Sequence, residues 1–504
     1  MLARADGGLN QISGFFYTIP AHFGVYYMNR TKPDRPANQI KPMKTATILI
    51  AALALCLGLV TGCAKKNSTS SESIQNPEVV ARLRSFVAEK NDQTKLLVTS
   101  NGDPTPSELE SFFVAADKQD WDGTTNNYSR IKRMVGSDAR FRKSWWQATL
   151  ETFGAMEQFT LGDSKYSALY ADNIITSIPP GSVYFGGTDP GRFLITAMQR
   201  NQAAGDPFFT ITQNALADGT YLDYLRSMYG SKLYIPTAED SQKAFQEYTQ
   251  DVAKRRQSNQ LKPGEDVEVD PASGRVQVSG QVAVMEINGL LVKDIFEKNT
   301  NQEFYVEESF PLDWMYPYLE PHGIIFRLNR QPLTELSDEI VQSDHDYWTK
   351  TVTPMIGGWL NTGTTVKEVA AFAEKVFGRH DFSGFSGDPH FVQNDYSHKM
   401  FSKERSSIAG LYAWRALHTT DKSERKRMND EADFAFRQAW ALCPYSPEAV
   451  VRYVNLLMSE SRFSDALLVA ETAAKMPAMK GDDGAQMRGL ITQLQSIQRQ
   501  VKGR

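Results

Sequence analysis

Apolar residues recur at helical spacing through the first part of the chain. Val79, Val80, Leu83, Phe86 and Val87 predict a short helix entered through Pro77. Leu109, Phe112, Phe113 and Ala116 predict a second, capped by Ser107, and an Asp122-Gly123 break separates it from a third on Tyr128, Ile131 and Met134. Trp145, Trp146, Leu150 and Phe153 mark a fourth, from about residue 142 to 159. Near residue 180 the rhythm changes. Ser182-Val183-Tyr184-Phe185 is a β-prone run after Pro179-Pro180-Gly181, and Gly186-Gly187-Thr188-Asp189-Pro190-Gly191 makes a turn. A helix follows on Phe193, Leu194, Ala197 and Met198, with Thr188 or Asp189 as cap and Pro190 near its first position. Phe208 to Thr212 reads as a strand, Tyr221, Leu222, Leu225 and Met228 as a helix stopped by Gly230, and Leu233-Tyr234-Ile235 as a third strand. Strands alternating with helices across short connections predict a parallel, right-handed α/β unit.

Val267-Glu268-Val269 and Val276-Gln277-Val278 predict a hairpin around Asp270 to Arg275. A helix from about Val282 to Lys298 follows, then strands at Phe304-Tyr305-Val306 and Ile324 to Leu328. The predicted fold class is therefore α/β: a small, mostly parallel sheet over residues 172–335, flanked by all-α regions at 104–171, 336–400 and 401–504.

The last of these regions carries an internal echo. Ala432, Phe436, Ala439 and Pro444 correspond to Ala466, Ala470, Ala473 and Pro477, an offset of 34 residues. That is the tetratricopeptide period, in which small residues let paired helices approach closely, and residues 401–480 resemble that repeat. Lys422 to Asp433 reads as a charged insertion in the first unit. Two units are fewer than a free-standing solenoid needs, so the module should lean on its neighbours and offer a groove to a protein partner.

The N-terminus reads as an address. Ile48 to Val60 are thirteen uncharged residues, too few to span a bilayer and suited to the apolar core of a secretory signal behind Lys44. Val60-Thr61-Gly62-Cys63 resembles a bacterial lipobox, which implies cleavage before Cys63 and lipidation of its thiol. Residues 43–62 then form the signal, 1–42 an upstream extension, and 63–103 the lipidated cysteine with a Ser-rich tether and the first helix. Ala64, rather than Asp, follows the cysteine and favours an outer membrane where the cell has one. Of three cysteines only Cys443 lies in the body, so no disulfide framework forms there. Over 504 residues, 41% hydrophobic and 23% charged residues are ordinary globular usage, and a net charge of −4 gives no surplus for nucleic acid.

Candidate chemistry is sparse. Gly186, Gly187, Thr188, Asp189 and Arg192 lie where a strand opens into a helix, the edge at which α/β sheets take ligands. They match neither GxGxxG nor a P-loop. Glu307, Glu308, Asp313, Glu320 and His322 sit among aromatics between Phe304 and Gly323, and paired carboxylates beside aromatics are the chemistry of glycoside hydrolysis. Their neighbourhood in sequence does not bring them together in space. His345, His380 and His390 lack metal-ligand spacing and read as loops and helix caps, so no metal and no cofactor is expected. No nucleophile-elbow signature is present.

The runs from Pro179 to Phe193, Ile211 to Arg226 and Phe304 to Leu328 resemble the soluble C-terminal part of bacterial proteins related to protein O-mannosyltransferases. The likeness covers about residues 150–335. The catalytic part of that family is a multi-helix membrane domain, so the resemblance transfers no catalytic residue. The expectation is a lipid-anchored envelope protein acting as a binding or assembly module rather than an enzyme. The alternative is an accessory or degenerate enzyme of envelope glycan metabolism.

Overall fold

A computed structural model describes residues 76–269, 276–307 and 312–502. The segment expected to be a secretory signal, Cys63, the expected tether and Glu308 lie outside the described residues. Among the described residues, five α-helices precede the first strand: α1 (Pro77–Asn101), α2 (Glu108–Asp117), α3 (Trp121–Ser137), α4 (Trp145–Leu161) and α5 (Ser164–Ser177). The first is far longer than its apolar stripe predicted. Asp122-Gly123 does not break the chain but forms the first turn of α3, whose cap Asp120 accepts from the Gly123 N–H at 3.0 Å. Helix α4 is buried on nearly every side, which explains its weak periodicity.

Strands β1 (Val183–Gly186), β2 (Phe209–Thr212), β5 (Phe304–Val306), β6 (Leu319–His322) and β7 (Ile325–Leu328) form one sheet in the order β2-β1-β5-β7-β6. β1 runs parallel to β2 and to β5, whereas β7 pairs antiparallel with β5 and β6. The sheet is therefore mixed rather than mostly parallel. Gly323, at φ +60°, makes the tight turn that folds β6 back on β7. Leu233-Tyr234-Ile235 is not a strand. The Asn299 side-chain amide accepts from the Tyr234 N–H at 2.7 Å and donates to its carbonyl at 3.0 Å, taking the bonds a neighbouring strand would need. The predicted hairpin is present as a separate two-stranded sheet, β3 (Asp266–Val269) with β4 (Val276–Ser279).

Between these strands lie a π-turn, Pro190–Leu194, running into α6 (Ile195–Met198), then α7 (Gly219–Tyr229), α8 (Ala238–Gln257) and α9 (Gly280–Lys298). Helices make up the rest: α10 (Asp338–Ile356), α11 (Val366–Ala373), α12 (Pro389–Gln393), α13 (Asp395–His418), α14 (Lys422–Leu442), α15 (Pro447–Ser459), α16 (Phe463–Ala474) and α17 (Gly481–Lys502). The described chain is thus mostly helical around a small mixed sheet. Lys422 to Asp433 forms the first half of α14, capped by Asp421. Ala432, Ala439, Ala466 and Ala473 are all fully buried.

One continuous cluster of buried apolar residues runs from Val79 to Leu494. Two buried ion pairs cross it. Lys90 meets Glu151 at 2.7 Å, with Tyr224 donating to the same carboxylate, and so ties α1, α4 and α7 together. Arg405 meets Asp344 at 2.8 Å, with Tyr412 as second donor, and ties α13 to α10. Such pairs persist because removing one partner would leave the other charge buried alone.

Candidate functional site

The turn after β1 is organised by a residue 120 positions away. Glu307 follows β5 directly and is fully buried. Its carboxylate accepts from the backbone N–H of Gly187 at 2.6 Å, that of Thr188 at 2.8 Å and the Thr188 hydroxyl at 2.5 Å. The Thr188 oxygen in turn accepts from the Gly191 N–H at 3.1 Å. A Cβ on Gly191 would stand 2.0 Å from the Glu307 carboxylate, so only glycine lets the turn close around it. The backbone donors that the sequence offered to an outside anion are filled from within the chain. Thr188 is the residue that caps here; Asp189 makes no capping bond.

Glu404 of α13 hydrogen-bonds the same carboxylate and accepts from the Tyr170 hydroxyl at 2.9 Å. Burial, and then the Glu307 charge beside it, push the Glu404 carboxyl well above its ordinary range. That shift favours the protonated form of Glu404, which can donate to the neighbouring carboxyl oxygen.

On the other face of this turn a cleft of about 170 Å³ opens at the carboxyl ends of β1 and β2. Tyr128, Lys132 and Val135 of α3 and Trp146, Gln147 and Leu150 of α4 form one wall, with Arg142 between the helices. Gly187, Thr188, Asp189, Arg192 and Phe193 form the floor, and Thr212, Asn214, Asp218 and Val284 are among the remaining lining residues. The aromatic wall is rigid. Tyr128 stacks on Phe153 at 3.8 Å and on Trp146 at 5.4 Å between ring centres. Phe193 lies so close to Gly154 of α4 that a Cβ there would come within 2.4 Å of its ring.

Arg192 is the unusual group. It is 9% exposed, and its side chain makes no hydrogen bond or ion pair among the described residues; Nε and Nη2 are buried without a partner. Its guanidinium carbon lies 4.8 Å from the Phe193 ring centre and 5.6 Å from that of Tyr221. The positive charge is balanced at longer range, since it lowers the carboxyls of Glu151, Asp189 and Asp218. Thr212, also on the lining, has a buried hydroxyl without a partner. Desolvation raises the Asp189 carboxyl, against the charges of Arg192 and Lys403. Asp218 is raised by burial too, against hydrogen bonds from Thr220 and from Gln147 at 3.0 Å. Glu157 of α4 is pushed up to about 7 by burial and by the charge of Asp189.

Four of the five predicted turn residues, Gly187, Thr188, Asp189 and Arg192, thus line one cleft, while Gly186 ends β1 and is not on the lining. The other candidates do not gather. Asp313 is exposed, Glu320 faces Arg327 at 3.6 Å, and the His322 ring meets the Ser177 carbonyl at 2.9 Å. His345 stacks on Phe434, and Asp388 caps the helix that carries His390 while binding Lys165. Among the described residues no three His, Cys, Asp or Glu side chains are placed to hold a metal. Sequence reading missed Tyr128, Lys132, Trp146, Gln147, Thr212 and Asp218. A signal existed for Asp218: like Gly186, it follows the carboxyl end of a predicted strand and opens a helix.

No family model, curated protein or solved structure matches this chain. Among the described residues no helix is long and apolar enough to cross a membrane.

Proposed function

We propose that the chain is a lipid-anchored envelope protein whose body is a binding module, with the cleft at the ends of β1 and β2 as its ligand site. The observation that carries the reading is Arg192. A guanidinium buried without a hydrogen-bond partner destabilises the fold unless something outside the chain completes it. Concave sites with rigid aromatic walls and a few convergent polar groups are the usual form of small-ligand sites. The lipobox at Cys63 supplies the anchor, and Ala64 after it favours an outer membrane where the cell has one. The resemblance to the soluble part of O-mannosyltransferase-like proteins supports an envelope setting without lending a reaction. The tetratricopeptide-like tail is read as a partner surface, supported by four alanines buried at the 34-residue offset.

Thermal-shift screening of the full chain against glycan fragments, nucleotide sugars and small organic anions tests the module. A ligand at about 100 Kd adds roughly 2.7 kcal/mol. Val284→Trp, which fills the cleft, must abolish that gain; a gain that survives it places binding elsewhere. Cys63→Ser tests the anchor: the protein should leave the membrane fraction, and retention with unchanged processing removes the lipobox.

The enzyme reading keeps one supporting observation. Glu157, at about 7, neighbours Asp189 beside the cleft, a pairing that suits proton transfer near neutral pH. Turnover of a glycan substrate that disappears in Glu157→Gln, with the fold intact, would favour it.

A further inference from the structure

We infer that Arg192 is the recognition group for a small monocarboxylate bearing an apolar or aromatic ring. The inference rests on the reading of the cleft as a ligand site and goes further by naming the ligand's chemistry. Three features point to it.

The first is the guanidinium. Nε and Nη2 are sealed from water, so the part of Arg192 open to the cleft is its Nη1 edge. A carboxylate set against that edge accepts a charge-assisted hydrogen bond from Nη1. Phe193 and Tyr221 hold the guanidinium plane in place, so little side-chain freedom is lost on binding. Thr212 offers its unpartnered hydroxyl from the neighbouring strand end. Its backbone N–H is bonded to the hydroxyl of the same Tyr221 at 2.7 Å, which holds Thr212 beside the ring under Arg192.

The second feature is charge. Lys132, Arg142 and Arg192 on the lining oppose Asp189 and Asp218, so three cations against two carboxyls leave one positive charge. That balance suits a monoanion, while the two carboxyls disfavour a phosphate dianion.

The third feature is size and surface. About 170 Å³ is close to the roughly 150 Å³ that admits a benzene ring in an apolar protein cavity. Trp146, Tyr128 and Leu150 present flat apolar surface at that scale.

The test is calorimetric titration of the full chain, in detergent, with phenylacetate, benzyl alcohol, glucuronate and inorganic phosphate. Phenylacetate should bind, and benzyl alcohol should bind at least about 10-fold more weakly. Arg192→Met should lose about 10- to 100-fold in phenylacetate affinity while melting no lower than the parent, because the side chain has no bond to lose. Thr212→Val should weaken binding less, and Arg192→Lys should fall between parent and Arg192→Met. Equal binding of benzyl alcohol, or unchanged affinity in Arg192→Met, overturns the carboxylate assignment while leaving the cleft as a site. Preference for phosphate overturns the monoanion, and preference for glucuronate overturns the apolar ring. An Arg192→Met protein that no longer folds shows Arg192 to be structural, and the inference fails. Binding by none of the four, nor by any compound of the wider screen, removes the cleft reading itself.

Discussion

Gly191→Ala probes the cradle around Glu307 with a single methyl group. An ideal Cβ at Gly191 lies 2.0 Å from Oε2, 2.2 Å from Cδ and 2.9 Å from Cγ of Glu307. None of these atoms can yield cheaply, because the carboxylate is fully buried and tied to Gly187 and Thr188. Either the turn opens or the carboxylate leaves its donors. Overpacking typically costs about 1–3 kcal/mol, and a weakened hydrogen bond to a buried charge adds about 1.5–3 kcal/mol. The expected loss is therefore about 2.5–6 kcal/mol. Unfolding entropy is about 2.1 cal/mol/K per residue, so roughly 430 residues unfolding together give about 0.9 kcal/mol/K. The melting temperature should fall by about 3–7 °C. Gly410→Ala is the internal control. It lies within α13 with nothing inside 4 Å of its would-be Cβ, so helix propensity should stabilise it by up to about 1 kcal/mol. Differential scanning calorimetry of the two variants reads both signs. A Gly191→Ala protein that melts within 1 °C of the parent would show that the turn does not close on Glu307.

Three further outcomes follow from the same site and from the tail. Thr188→Ala removes a hydroxyl that both donates to Glu307 and accepts from Gly191, and should cost about 1–3 kcal/mol in chemical denaturation; Asp189→Ala, with no capping bond to lose, should stay within about 0.5 kcal/mol. The reverse order would restore Asp189 as the cap. Glu404 has a folded pKa above its unfolded one, so the folded state binds the extra proton, and stability should fall by up to about 1.4 kcal/mol per unit as pH rises from about 4.5 toward the folded value. Glu404→Gln, which mimics the protonated acid, should flatten that slope, and an unchanged slope argues that Glu404 is ionised. Ala466→Trp places an indole at a fully buried contact of α16 and should cost at least about 1–3 kcal/mol, whereas an unchanged melting temperature would remove the close helix packing from the tetratricopeptide-like reading.

Sequence alone determined what depends on near neighbours. The apolar stripes at Leu109 to Ala116 and Trp145 to Phe153 specify helices, because side chains three and four residues apart share a face whatever they later pack against. The runs at Val183–Gly186, Phe209–Thr212 and Phe304–Val306 were legible as strands for a similar local reason, as was the hairpin of β3 and β4. The Gly186–Arg192 turn was legible as a candidate site, because strand ends that open into helices are where α/β sheets leave backbone donors free. Tertiary structure decided everything that depends on partners distant in the chain. Leu233-Tyr234-Ile235 has strand composition but meets the Asn299 amide instead of a strand, and Leu319–His322 lacks strand composition but is recruited by β7. The glycine turn reads as a place for an outside anion until Glu307, 120 residues on, is found within it. Arg192 becomes the exceptional residue only once α3 and α4 wall it in, since a side chain's lack of partners is a property of the packed interior and leaves no mark on spacing or composition.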